Sequence, residues 1–188
     1  MSSSETGRAA RADARRNREK LVEVARAAFA TDGSVALETI ARAAGVGIGT
    51  LYRHFPTREA LVEAVYAAEL DDVTASASAL LAQHPPAVAL RAWMDRYAAF
   101  FATKRGMADA LRVNLASGRI ATPATRARIT AAIGAILEAG ARAGTLRPDA
   151  DPEDVTFLLL GVFLSAPAGH DPERTRRLLD LVADAVRP

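Results

Sequence analysis

Cysteine is absent from this chain of 188 residues, which excludes a disulfide framework, a thiolate zinc site and a cysteine nucleophile together and agrees with a reducing compartment. Aromatic residues make up only 5%, and β-branched clusters are scarce, so long strands have little to be built from. The longest apolar run, Phe157 to Leu164, falls well short of the roughly 20 residues that span a bilayer. The first twenty residues lack the apolar centre of a secretory signal. A cytoplasmic protein without membrane association is expected.

Catalytic constellations are missing as well. His54, His84 and His170 lie on separate segments and form no HExxH pair, and there is neither a GxSxG elbow nor a Walker loop. The run Gly45-Val46-Gly47-Ile48-Gly49 does not have GxGxxG spacing and no strand precedes it. The acidic stretch Asp149 to Asp154 departs from the EF-hand pattern. The expectation is no catalytic residue, no metal and no cofactor.

Half of the residues are apolar and 24% charged, a globular balance. Ala, Leu, Arg and Glu dominate, and these are strong helix formers. Of 24 Lys and Arg residues only Lys20 and Lys104 are lysine; such an excess of Arg suits phosphate recognition but also follows from genome base composition. The net charge of +2 hides an asymmetry, because basic residues outnumber acidic ones up to Arg58 and acidic ones lead slightly thereafter. Arg8, Arg11, Arg15, Arg16, Arg18 and Lys20 concentrate the excess where a chain would touch a polyanion, although basic termini are also common solvated tails.

Residues 1–12 show no apolar period and are expected to form a flexible basic arm, with order beginning near Asp13. Leu21, Val24, Ala25, Ala28 and Phe29 then mark one helical face, closed by Asp32-Gly33. A short helix follows over 37–44, with Ile40, Ala41 and Ala44 inward; a second runs from Ile48 to about His54. Thr57 caps a long fourth helix striped by Leu61, Val62, Val65, Tyr66, Leu70 and Val73. Beyond Pro85-Pro86 come helices carrying Leu90, Trp93, Met94, Tyr97 and Phe101, then Met107, Leu111 and Leu115. Another opens at Pro123 and ends by Gly144, and the last two open at Pro152 and Pro172, with Asp151 and Asp171 at their N-caps. The predicted fold is all-α with about nine helices, organised as the arm, an N-terminal domain over 13–73 and a C-terminal domain over 74–188.

Residues 37–56, LETIARAAGVGIGTLYRHFP, have the constraints of a helix-turn-helix. Ala41 is small enough for two helices to cross, Gly45 suits a turn that demands positive φ, and Ile40, Ala44, Val46 and Leu51 fill the small core between the helices. Such a unit holds its second helix proud of the surface, ready for a major groove.

Ile40-Ala41, Ala44-Gly45-Val46, Gly49-Thr50-Leu51-Tyr52-Arg53-His54-Phe55 and Arg58-Glu59-Ala60-Leu61 together resemble the signature of the TetR family of transcriptional regulators, over roughly residues 15–65. The resemblance implies that Thr50, Tyr52 and His54 face DNA, that the Tyr52 hydroxyl meets a phosphate, and that Thr57 and Arg58 hold another at a helix N-terminus. Tyr52 packing between helices, and His54 merely ending its helix, are the alternatives. Gly47 and Ile48 stand where many relatives carry polar residues, so with Gly49 they offer bases few hydrogen bonds. Base readout then leans on Arg53, on Thr50 and on arm arginines in the minor groove. Ala36 and Leu37 stand where relatives place a capping Ser or Thr.

One helix-turn-helix reads few bases, so a homodimer on a palindromic operator in double-stranded DNA is expected. The helix after Asp154 is apolar almost all round and should be buried on every side. With the final helix it is expected to supply half of an intersubunit four-helix bundle, which the resemblance also implies, through Phe157, Leu160, Phe163, Leu164, Leu178, Leu181, Val182 and Ala185; Val186 extends the stripe. A purely intramolecular core is the alternative. The resemblance further implies a cavity for an unknown small-molecule effector, with Trp93, Tyr97, Phe100, Phe101, Met107, Leu111, Asn114, Phe157 and Leu160 as candidate lining, unless they are core. The stretches beginning at Ala102 and Ala143 resemble the SbtR-type C-terminal domain. The expected function is a repressor released from its operator by that effector; an enzyme and a protein-binding adaptor that has lost DNA affinity are the competing readings.

Overall fold

The computed structural model describes residues 3–106, 122–165 and 172–188. Among them are eight helices and no strand: α1 Ser3–Thr31, α2 Leu37–Ala43, α3 Ile48–His54, α4 Arg58–Gln83, α5 Pro86–Gly106, α6 Pro123–Arg142, α7 Pro152–Ser165 and α8 Pro172–Ala185. Met107, Leu111, Asn114 and Leu115, with the helix expected around them, lie outside the described residues, as does Asp171. No described helix is long and apolar enough to cross a membrane.

The chain divides into two compact units, between Ala68 and Glu69 and again between Phe101 and Ala102. The first contains α1 to α3 and the start of α4. Leu21, Ala25 and Phe29 of α1 are buried with Leu37, Ile40, Ala41 and Ala44 of α2 and its cap, Leu51 of α3, and Phe55. α1 packs on both α2 and α3. It also begins at Ser3, well ahead of the expected start near Asp13. An apolar period marks where a helix has a core to cover, and a charged helical turn can precede that point without one.

The second unit holds the rest of α4, α5 up to Phe101, and α6 to α8. Trp93 is fully buried on α5 and donates its indole N–H to the Val73 carbonyl of α4 at 2.9 Å, the same oxygen that accepts from Ser76 Oγ at 2.8 Å. α6 packs on α7, and α7 on α8. Thr122 caps α6 by accepting from the Thr125 amide at 3.2 Å, and Asp151 caps α7 by accepting from the Glu153 and Asp154 amides at 2.7 and 3.3 Å. Both caps sit before a proline that opens the helix, which needs no amide there. α6 ends where Gly144 turns at φ 66°, a conformation that glycine takes without cost. Arg147 then donates to both Asp149 oxygens at 2.7 and 2.6 Å and holds that carboxyl down to about 2.

The helix α7 departs from its expected burial on every side. Val155, Leu159 and Phe163 are buried, but Phe157 and Leu158 are each 51% exposed in the single chain and Gly161 faces open space. α8 divides similarly: Leu179, Val182, Ala183 and Val186 face inward, whereas Leu181 is 64% exposed, Ala185 is exposed and Leu178 half-buried. Phe163 and Val182 therefore belong to the core of the chain, not to an outer face. Leu160 is half-buried, and the side chain of Leu164 lies outside the described residues.

Candidate nucleic-acid interface

The interface is built around the turn between α2 and α3. α2 is followed by its cap residue Ala44, whose amide donates to the Ile40 carbonyl at 2.9 Å. Gly45 reverses the chain at φ 68°, and the Val46 amide closes the turn on the Ala41 carbonyl at 3.0 Å. This is a helix C-terminus ended by a left-handed glycine. Gly47 is extended, with ψ 150°, and its carbonyl accepts from Thr50 and Leu51 at 2.9 and 3.2 Å, which starts α3. Of the expected motif core, Ile40, Ala41, Ala44 and Leu51 are buried; Val46 is half-buried and Gly45 is exposed.

Leu51 points inward, so the residues around it on the seven-residue α3 turn out. Ile48 is 37% and Tyr52 45% exposed; Gly47, Gly49 and Arg53 are exposed, Thr50 and His54 half-buried. Arg53 lies along its own helix, donating from Nε to the Gly49 carbonyl and from Nη2 to Thr50 Oγ1, both at 3.2 Å. His54 leans toward Phe55, with ring centroids 6.3 Å apart. Ala36 gives α2 no side-chain cap, as its side chain requires.

At the start of α4, Thr57 is exposed and its Oγ1 accepts from the Ala60 amide at 3.2 Å. Arg58 is placed otherwise than on an outward-facing phosphate. Its Nη1 donates to the Val35 carbonyl at 2.6 Å, its Nη2 donates to the Gly33 carbonyl, and the guanidinium lies 5.0 Å above the Phe29 ring. It fastens the α1–α2 connection to the first turn of α4. Sequence holds no sign of this, because it depends on the direction the side chain takes.

Two cations that were visible only as part of a basic tract border the motif. Lys20 of α1 brings its ammonium next to Gly45, where an added Cβ would lie 3.5 Å from Nζ. Arg18 places its guanidinium 5.1 Å from the centre of the Phe55 ring. Arg15 and Arg16, by contrast, pair with Glu19 and Asp13 on α1 itself. The described residues contain no group of three or more acidic or histidine side chains placed to hold a metal ion.

In the second unit, the candidate pocket residues Trp93, Tyr97, Phe100 and Phe101 form one ring cluster with Phe163. Tyr97 lies 5.2 Å from Trp93 and 5.4 Å from Phe163, and Phe101 stacks on Phe163 at 4.7 Å. Phe157 stands apart from it, on the surface beneath the Arg126 guanidinium at 5.5 Å.

Comparison with known proteins agrees with this geometry. Residues 21–65 match the family described as bacterial regulatory proteins, tetR family, and residues 85–188 match the SbtR-like C-terminal domain of transcriptional regulators. A TetR transcriptional regulator from Streptomyces coelicolor is 44% identical, with a TM-score of 0.78 over 91% of this chain and 98% of that one. A TetR regulator from Mycobacterium vanbaalenii is 36% identical, with a TM-score of 0.74 over 95% and 99% of the two chains. An HTH-type transcriptional regulator from Staphylococcus aureus (strain USA300) is 38% identical over 63 residues, so this chain spans 34% of that relative's length and 32% of its own. With a helix-turn-helix at residues 37–56, a match across both parts and whole-length structural relatives, the chain belongs to the TetR family of DNA-binding transcriptional regulators.

Proposed function

We propose that the chain is a repressor that binds a palindromic operator as a homodimer and leaves it when a small molecule binds the C-terminal domain. The observation that carries this reading is the outward face of α3, where Thr50, Tyr52 and Arg53 surround a fully buried Leu51. That face suits a major groove: Arg53 and Thr50 reach base edges, and Tyr52 reaches a phosphate. Gly47, Ile48 and Gly49 approach closely without donating, Ile48 meeting a thymine methyl, and His54 sits at the rim. Thr57 and the N-terminal end of α4 meet a second phosphate, with Arg58 holding the turn in place.

The homodimer is supported by the open apolar face of Phe157, Leu158, Leu178 and Leu181, with Leu160 and Ala185 at its edge. Covering each large side chain stabilises an assembly by about 1.5–3 kcal/mol. Gly161 on the same face lets a second helix approach. A dimer sets two copies of α3 about 34 Å or a multiple apart, in successive major grooves. A DNA-binding domain over 13–73 and a C-terminal domain over 74–188 suit this division of labour, with the basic arm over 1–12 carried on α1, which is helical from Ser3, and such a protein works in the cytoplasm, on the nucleoid, without catalysing a reaction. Release follows if an effector near the ring cluster of Trp93, Tyr97, Phe100 and Phe101 prefers an arrangement of the domain in which that spacing is lost, by an amount set by its preference between the two states. α4 is the continuous helix through which the two units are joined in sequence.

Selection of duplexes from a random pool by the purified protein, followed by sequencing, tests the proposal. Enrichment of one inverted repeat with half-sites one or two turns apart supports it. Enrichment of a single half-site overturns the dimer, and no enrichment moves an adaptor without DNA affinity ahead of it.

A further inference from the structure

The face of α1 that covers the helix-turn-helix continues past it as a row of arginines. Arg8, Arg11, Arg15 and Arg18 recur at spacings of three, four and three, and the same alternation runs on through Val22, Ala25 and Phe29, so these positions share one side of the helix. Val22, Ala25 and Phe29 are buried, whereas Arg8, Arg15 and Arg18 are exposed. The exchange of apolar for basic residues falls where the core ends. Arg18 sets its guanidinium 5.1 Å from the centre of the Phe55 ring, just after α3, and Lys20 lies beside Gly45, in the turn that precedes α3. α1 therefore passes behind α3 at residues 18–20, and its earlier turns run beyond the motif. Leu51 points inward and α1 packs on α3, so the side of α1 turned toward α3 looks in the same direction as the outward face of α3.

We propose that this row is a second DNA-contacting element, which lies along the phosphates flanking each half-site and reads no bases. The inference rests on the reading of α3 above and adds a backbone contact outside the half-site. From Arg8 to Arg18 the helix rises about 15 Å, the axial length of about four phosphates of one strand. A helix with its side chains is about 10–12 Å across and the minor groove about 6 Å wide, so a helical arm stays on the backbone where an extended one would enter the groove. Arg15 is held only by Glu19, at 3.5 Å and between side chains 75% and 64% exposed; such a pair is worth little and gives way to a phosphate. Arg18 keeps its place over Phe55, because a guanidinium stacked on a ring still presents N–H groups at its edge. Arg16 falls on another side of the helix, where it pairs with Asp13, and is outside the row.

The test measures affinity against salt for the full-length chain on two duplexes, with circular dichroism as a control for folding. One duplex is the inverted repeat recovered by selection, with random-sequence flanks, and the other is random throughout. Arg8→Gln, Arg11→Gln and Arg15→Gln combined should lower affinity for both by about tenfold or more and reduce the slope of log affinity against log salt by about one for each arginine lost. Arg15→Gln alone should reduce the slope, whereas Arg16→Gln, which removes the same charge one residue away, should leave it near that of the wild type. Trimming the flanks should cost the wild type affinity but not the triple variant, and exchanging A·T for G·C pairs in them should change nothing. A triple variant with the wild-type slope would overturn the row while leaving the reading of α3 standing, and equal effects of Arg15→Gln and Arg16→Gln would overturn it too. Sensitivity to the flanking base pairs would replace backbone contact by minor-groove reading. If the wild type binds random duplexes but selection yields no repeat, the operator reading fails and the row is judged on the random duplex alone. A wild-type chain that binds neither duplex would overturn both.

Discussion

Arg53 and Thr50 are hydrogen-bonded to each other on the exposed face of α3, Nη2 to Oγ1 at 3.2 Å. In the free protein the guanidinium thus lies along its own helix, one turn from the hydroxyl, and its remaining N–H groups can be redirected to a base without moving the backbone. Arg53→Ala should relax base choice at one position of each half-site, with a loss of about 1–3 kcal/mol in discrimination and a smaller loss of binding to unrelated DNA. Affinities for a panel of single-base operator variants check this.

Tyr52 is exposed on the same helix, one residue before Arg53. Tyr52→Phe removes one donor and no charge. Binding should weaken by roughly 1 kcal/mol for every duplex alike, with the salt dependence unchanged, since no cation is lost. If the loss depended on sequence, Tyr52 would be reading bases.

Arg58→Ala leaves the Val35 and Gly33 carbonyls without their donor and uncovers Phe29. The expected cost is about 1–3 kcal/mol in stability, seen as a lower Tm in the absence of DNA. Arg58→Lys should recover less than half of it, because one ammonium does not reproduce a planar fork over an aromatic ring. An unchanged Tm with weakened DNA binding would instead make Arg58 a phosphate ligand.

Gly161 and Gly140 should respond in opposite ways to a side chain. A Cβ at Gly161 meets nothing within 4 Å, whereas one at Gly140 collides with the Leu146 side chain. Gly161→Leu should keep the fold and weaken the dimer, while Gly140→Ala should destabilise the chain by about 1–3 kcal/mol through overpacking. Thermal melts and sedimentation of the two variants separate these effects.

Much of this molecule was legible wherever local chemistry decides. Gly45 had to turn the helix-turn-helix, Thr57 and Asp151 had to cap, Pro123, Pro152 and Pro172 open their helices, and the stripe from Leu61 to Val73 is buried throughout. Elsewhere the pattern was ambiguous for physical reasons. A helix as apolar as α7 looks the same whether its second face meets its own chain or another, so Phe157 and Leu158 could not be told from Leu159 and Phe163. Arg58 matched a phosphate-binding position by its place in the motif, but its contacts are set by the carbonyls of a loop more than twenty residues earlier. The beginning of α1 at Ser3 had no apolar period to announce it.

The central claim is sequence-specific binding of duplex DNA, and fluorescence anisotropy tests it directly. The protein is titrated against the DNA immediately upstream of its own gene and against a scrambled duplex, at several salt concentrations. The account predicts a preference of about a thousandfold or more for one sequence, with affinity for both falling steeply as salt rises. Equal affinity for the two duplexes, and for every inverted repeat recovered by selection, would contradict it.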